Sequence, residues 1–282
     1  MILLTGATGT VGSALLRRLT AAGEPVRCLV RDPRGLGDLA DPPSFRNALR
    51  GVGTVVHLAA SIRDQPGGSI EELNAVATLR LVRAAERAGA RRFLFFSAMG
   101  AGHHSRTRFF RAKALAQEAV QASSLETMVF RPSIVYTPGD PWLTLLERFS
   151  YLPALPVSGS GRAQYQPIWA EDVADCVQAA LIASGPRRRA FELGGPETMS
   201  YDDIVRSALG AFGRRRPLLH VPLPVVRASL RALRPLAGPK VFATWEEAEL
   251  FEEPMTTPRG TADAEALGVR PRAMSAVLGT AA

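Results

Sequence analysis

Three glycines set three residues apart, Gly6, Gly9 and Gly12, separate a short apolar run at Ile2 to Leu4 from a helical pattern. In that pattern Val11, Leu15, Leu19 and Ala22 recur on one stripe and arginines take the other faces. Each glycine suits a different need. Gly6 can close a tight turn, Gly9 lets the backbone approach a phosphate group, and Gly12 lets the helix pack closely on the strand. The free N–H groups that open a helix then face the anion. A second apolar run, Pro25 to Val30, follows at the distance a βαβ unit requires. Strand, glycine turn, helix and strand in this order predict a dinucleotide-binding unit rather than a plain strand-to-helix turn.

The pattern continues through the first half of the chain. Candidate strands are Thr54 to Leu58, Arg92 to Ser97 and Thr127 to Arg131, and Ile70 to Arg87 reads as one helix with Leu73, Ala77, Leu81 and Ala84 on its apolar stripe. Alternation of this kind predicts an α/β fold, a Rossmann-type doubly wound parallel sheet with a small C-terminal substrate lobe. After Pro132 the texture changes, and Thr137 to Pro141 and Leu152 to Gly161 read as loops. Helices follow at Glu171 to Ala183 and Tyr201 to Gly213, with a strand near Phe191 and a helical C-terminal part interrupted by Pro222, Pro224, Pro235 and Pro239. We therefore expect a Rossmann core over residues 1–135. Residues 136–282 form a mixed region that returns to the core and builds the smaller lobe. The 282 residues suffice for both.

Composition narrows the class of function. A net charge of +8 with a pI near 10.4 raises the question of nucleic acid. The basic residues, however, are spread along amphipathic helices, cluster only at Arg187 to Arg189 and Arg214 to Arg216, and show no aromatic-interleaved stripe. No specific nucleic-acid partner is expected, while docking to an anionic membrane or to a complex stays open. All but two of the 34 basic residues are arginine, so the positions of Lys113 and Lys240 carry unusual information. No apolar run approaches the roughly 20 residues that span a bilayer, and no charged leader precedes Ile2, which reads as a cytoplasmic protein. Cys28 and Cys176 fall in apolar segments as small hydrophobes, so neither a disulfide framework nor a metal site is expected.

At the end of the second strand, Arg31 comes before Asp32. An arginine here can pair with a 2′-phosphate, whereas Asp32 precedes Pro33 and reads equally as the start of a turn. The order favours NADP(H) over NAD(H). Asp38 and Leu39 then stand where an acid accepts from the adenine amino group and an apolar side chain covers its face; a polar loop reads these residues equally well.

With its TGATGTVG start, the LVRDP and GDL segments, the VVHLAA strand at Val55 to Ala60, Asn74 and Ser97, the chain resembles the atypical short-chain dehydrogenases/reductases. The segment from Arg131 to Tyr136, that from Gln166 to Ala174, and Phe191-Glu192-Leu193-Gly194-Gly195-Pro196 extend the likeness over nearly the whole chain. They point to the NmrA-like branch and to the NAD(P)H-binding proteins related to an accessory subunit of respiratory complex I. The resemblance implies a nicotinamide dinucleotide held by Gly6, Thr8, Gly9, Thr10, Val11 and Gly12, by Arg31, Asp38 and Leu39, by Leu58, Ala59 and Ala60, and by Lys113. It implies that Pro132 and Ile134 line the nicotinamide ring.

Catalytic members of that superfamily use a serine, a tyrosine and a lysine four residues after the tyrosine. On a helix this spacing places phenol and ammonium on one face, where the ammonium lowers the phenol pKa and holds the ribose. Here Ser97 and Lys113 match, but the tyrosine position is Phe109. A phenyl ring has no proton to give and cannot stabilise an alkoxide. His103, His104, Tyr136 and Tyr165 are the alternative donors, each read equally as a loop or packing residue, and Asp172 reads as a helix cap or first-turn acid.

Two functions follow from the resemblance. One is an oxidoreductase with nonstandard proton delivery to a small apolar or quinone-like acceptor, with Leu143, Leu145, Leu146, Phe149 and Leu152 as an apolar surround. The other is a noncatalytic NADP(H)-binding redox sensor or assembly factor. Epimerisation of a nucleotide sugar needs the missing tyrosine most directly and ranks last.

Overall fold

The computed structural model of this chain describes residues 1–30, 47–183, 188–237 and 245–279. Ile2–Thr5 forms β1, buried along its whole length as a central strand requires. Thr10–Ala21 is α1 and Val26–Leu29 is β2, with Thr54–His57 as β3 and Arg92–Phe96 as β4. Glu126–Pro132 is β5, and Arg188–Leu193, the tenth strand in chain order and so β10, adds the outermost strand. These six run in the order β10-β5-β4-β3-β1-β2, every pair parallel. This is the parallel α/β sheet expected from the sequence, and its strand order reverses beside β1.

Helices cover both faces. On one, α1 and α5 (Ala170–Ile182) bury Leu15, Leu19, Val173 and Val177 against Leu4, Val56 and Leu94. Arg18 of α1 locks the pair by donating to Asp175 at 2.6 Å and to Glu171 of α5. On the other face, α2 (Ala77–Arg87) and α3 (Arg108–Gln121) bury Leu81, Val82, Ala116 and Val120 against Leu3, Val55 and Phe93. The single helix expected from Ile70 to Arg87 is present, with a π-helical turn, Glu72–Val76, set into it just ahead of α2. Asn74 is buried in that turn, and its side-chain amide donates to the Ile70 carbonyl and to that of Ser61.

A third apolar cluster builds the lobe from α4 (Pro141–Phe149), α6 (Tyr201–Ala211) and short strand pairs. The pairs are β6 (Val135–Tyr136) with β9 (Ile168–Trp169), β7 (Leu155–Ser158) with β12 (Leu218–Val221), and β8 (Gln164–Tyr165) with β11 (Met199–Ser200). Strand β7 corrects the loop reading of Leu152 to Gly161. Its four residues include a proline, and only the distant β12 supplies the partner that makes the segment a strand. The prolines of the C-terminal part interrupt less than expected, because α7 (Leu223–Ala237) begins just after Pro222, carries Pro224 in its first turn and continues past Pro235. Then come α8 (Trp245–Leu250), α9 (Ala262–Glu265) and α10 (Met274–Leu278). No described helix is long and apolar enough to cross a membrane.

Candidate functional site

Because the main sheet is parallel, the residues that follow β1, β3, β4 and β5 all emerge at one edge, beside the strand-order reversal where α/β sheets bind ligands. The glycine turn lies there. Gly6 has a φ of 71°, and an added Cβ would lie 2.6 Å from the Ala59 nitrogen. One on Gly12 would lie 2.0 Å from the Gly6 carbonyl oxygen. Both glycines are therefore demanded by close backbone approach. Gly9 is different: it is exposed, and among the described residues an added Cβ would meet only the Gly6 oxygen, at 3.3 Å. It opens α1 without a side-chain cap, and the first turn carries no acid. An uncapped helix start beside exposed glycine fits an anionic pyrophosphate.

A buried polar chain fixes the neighbouring loop. The Ala59 N–H donates to Thr5 Oγ1 at 3.4 Å, Thr5 Oγ1 lies 2.7 Å from His57 Nδ1, and His57 Nε2 lies 3.0 Å from Thr78 Oγ1. Thr78 donates its own proton to the Asn74 carbonyl. His57 must then carry its proton on Nε2 and accept from Thr5 on Nδ1. Burial holds the imidazole neutral and pushes its pKa down to about 3, with the positive charge of Lys113 adding to the effect. Asn74 Oδ1 accepts from the Ser61 N–H. The loop Leu58 to Ser61 is thereby tied at both ends, which leaves Leu58 and Ala59 half-buried and Ala60 exposed at the site. Thr5, His57 and Thr78 were not singled out from the sequence; the available signal was a histidine inside an otherwise apolar strand.

Ser97 follows β4, and Lys113 reaches the last residue of that strand. Ser97 is buried, its N–H donates to the Phe130 carbonyl at 2.8 Å, and its hydroxyl has no hydrogen-bond partner among the described residues. Lys113 is 3% exposed and its Nζ donates to the Phe96 carbonyl at 2.6 Å. No carboxylate pairs with it among the described residues, and burial pushes its pKa down to about 7. Nζ lies 4.9 Å from the Phe95 ring centre and 5.8 Å from that of Phe109. The i, i+4 spacing on α3 thus brings Phe109 and Lys113 to one face, with a phenyl ring where the phenol would stand.

Pro132 is buried at the end of β5, its carbonyl accepting from the Met99 N–H, and Ile134 is half-buried just beyond. Thr8 is exposed in the turn and Thr10 and Val11 are half-buried at the start of α1. Arg31, Asp38 and Leu39 lie outside the described residues. Tyr136 and Tyr165 belong to the lobe's apolar cluster at 0% and 1% exposure, as packing residues. Leu143 and Leu146 share that cluster, while Leu152 is exposed. His103 and His104 are exposed, His103 lying 3.6 Å from Glu118. Asp172 is a first-turn acid of α5, but its carboxylate is buried and accepts from the Arg272 N–H at 2.8 Å instead of capping its own helix. The rim was not foreseen: Arg108 at the start of α3 pairs with Asp64 and Glu71, and Arg63 pairs with Glu247 of α8 at 2.6 Å.

A model of the NAD dependent epimerase/dehydratase family matches residues 2–194. The subunit 9 of the NADH dehydrogenase [ubiquinone] 1 alpha subcomplex of Arabidopsis thaliana is 28% identical over 269 residues, 84% of this chain and 66% of that protein, so about a third of the relative lies outside the match. Ceramide reductase of Caulobacter vibrioides is 30% identical over 241 residues, 79% of this chain and 74% of that protein. Among solved structures, UDP-glucose 4-epimerase of Thermus thermophilus in complex with NAD superposes with a TM-score of 0.73 at 19% identity, covering 99% of this chain and 96% of the other, a likeness of fold.

Proposed function

This chain belongs to the NAD dependent epimerase/dehydratase family, and on that premise we propose that it binds NADP(H) and serves hydride transfer to a small apolar, quinone-like acceptor without a phenolic proton donor. What carries the reading is a buried lysine that has no carboxylate partner among the described residues, near a serine hydroxyl likewise unpartnered among them. Both are expensive in a plain scaffold. Both become useful where a ribose and an acceptor oxygen arrive.

The glycine turn and the open start of α1 would hold the pyrophosphate, Lys113 the nicotinamide ribose, and Pro132 with Ile134 the ring. Arg31 ahead of Asp32 supports the 2′-phosphate form. A reduced dinucleotide, when bound, supplies hydride. Ser97 is placed to donate a hydrogen bond to the acceptor oxygen. Phe109 restricts the acceptor: reduction of a simple ketone builds charge on an alkoxide that needs an acid, whereas a quinol oxygen resembles the tyrosine phenol with a pKa of about 10 and can take its proton from water. The same Phe109 ring, near the lysine, favours a second reading, a noncatalytic NADP(H)-binding sensor or assembly factor; the relatives include a Photosystem II assembly factor of Guillardia theta.

Calorimetric titration with NADPH and NADH, with Gly9→Asp as control, tests the binding. NADPH should bind more tightly, and the variant, which sets a carboxylate at the pyrophosphate position, should abolish binding. Turnover of NADPH with a short-chain quinone supports the oxidoreductase; binding without turnover assigns the second reading. No binding of either nucleotide overturns both.

A further inference from the structure

Four of the large apolar side chains that stay exposed lie in one part of the lobe: Tyr151 at 67%, Leu152 at 44%, Leu219 at 57% and Val225 at 52%. The fold brings their segments together. Leu219 of β12 is in register with Pro156 of β7, and the Leu155 N–H donates to the Pro217 carbonyl at 2.9 Å. Arg216 reaches back to the Ser150 carbonyl at 3.0 Å, and the Arg214 guanidinium lies 3.5 Å from the Tyr151 ring centre. Val225 follows four residues after β12 ends, in the first turn of α7. Leu218, the neighbour of Leu219, turns inward to the lobe core, so the strand's alternation is what drives Leu219 out.

This face carries an excess of positive charge. Its segments, 147–158 and 212–225, hold Arg148, Arg214, Arg215 and Arg216 against one acid, Glu147, and two acids from other elements reach its edge, Asp202 at 2.9 Å from His220 Nε2 and Glu252, which accepts from the Ser160 N–H. Basic residues mixed with exposed aliphatic side chains and a tyrosine suit the boundary between lipid headgroups and acyl chains, where arginine meets anionic headgroups and the apolar side chains enter below them. A nucleic acid would call for stacking aromatics, and this face offers one. We propose that the β7/β12 face of the lobe docks on an anionic phospholipid surface. None of its residues belongs to the dinucleotide site, so the proposal stands apart from the function argued above.

Co-sedimentation of the full chain with vesicles tests it, comparing phosphatidylcholine alone with phosphatidylcholine containing phosphatidylglycerol. The chain should pellet with the mixed vesicles, stay in solution with the neutral ones and be released by salt. Each arginine at an anionic surface contributes roughly fivefold in partitioning, so Arg214→Gln with Arg215→Gln should weaken it about tenfold or more. Leu219→Ser should weaken it severalfold, with melting temperature and NADPH titration unchanged in both variants. Equal partitioning to both vesicle types, no pelleting, or full binding by the variants overturns the proposal. So does self-association in the ultracentrifuge that Leu219→Ser abolishes, which would assign the face to a protein contact.

Discussion

At the scale of the residue, Lys113 carries the sharpest consequence. Its pKa is about 7 in the fold against 10.5 as a free side chain. Between those values the unfolded chain holds a proton that the folded chain does not, so the penalty is full below pH 7 and is relieved as pH rises toward 10.5. Lys113→Met should therefore stabilise the chain at pH 7, on the order of 2 kcal/mol once the unpaired Phe96 carbonyl is counted against the gain. It should do so less at pH 10, and NADPH binding should weaken at least tenfold. Thermal melts at the two pH values with calorimetry check this, and a variant that melts lower at pH 7 sinks the idea of a lysine retained against stability. Phe109→Tyr is the complement: restoring the phenol four residues before Lys113 should create carbonyl reductase activity if Ser97 and Lys113 are competent, read as NADPH consumption with a simple ketone. The positions of Ser97, Phe109 and Lys113 were legible in the sequence because they depend on local spacing. Burial was not, since what encloses Lys113 is the Phe95 and Phe109 pair, contributed by different elements.

At the scale of the element, the glycine turn was legible because each of its glycines answers a local steric need, as the 2.0 Å approach at Gly12 illustrates. Gly12→Ala should thus lower stability by roughly 3 kcal/mol or more, seen as an early denaturant midpoint, because the collision is with backbone that cannot step aside. The polar chain from Ala59 to Asn74 was illegible by the same reasoning: it links β1, β3 and α2 through side chains that sequence spacing does not bring together. It has its own signature. His57 titrates near 3 in the fold and near 6.5 when unfolded, so its contribution is intact above pH 6.5 and is lost progressively as pH falls toward 3. Melting temperature should drop between pH 6.5 and 4, and His57→Gln should flatten that dependence while lowering stability at pH 7. An unchanged slope in the variant would assign the acid sensitivity elsewhere. Strand β7 failed to show in the sequence for a related reason, a four-residue strand with a proline being defined by its partner alone.

At the scale of the whole molecule, the lobe is tied to the main sheet by the stretch from Met255 to Met274. Ser133, just after β5, donates to the Met255 carbonyl at 2.6 Å, and the Glu192 N–H of β10 donates to Asp263 at 2.8 Å. Arg272 and Met274 donate their backbone N–H groups to Asp172 and Glu197. Gln166 is the most committed member of this lacing: it is buried, its side-chain carbonyl oxygen accepts from the Thr257 N–H at 2.8 Å and its amide donates to the Thr257 carbonyl at 3.1 Å. A side chain that pairs both backbone groups of one residue completes the strap much as a strand partner would. Just ahead of the strap the chain passes close to the loop after Ser97, where an added Cβ on Gly100 would lie 3.4 Å from the Pro254 carbonyl oxygen. Gln166→Leu keeps the volume and strands both Thr257 groups, which should lower stability by roughly 2–4 kcal/mol. Because the glycine turn lies at the far side of β4 and β3 from these contacts, dinucleotide affinity should stay within about twofold while proteolysis within residues 251–261 accelerates. If Gln166→Leu instead abolished NADPH binding and left cleavage unchanged, the strap would be part of the dinucleotide cradle rather than the tie between lobe and sheet.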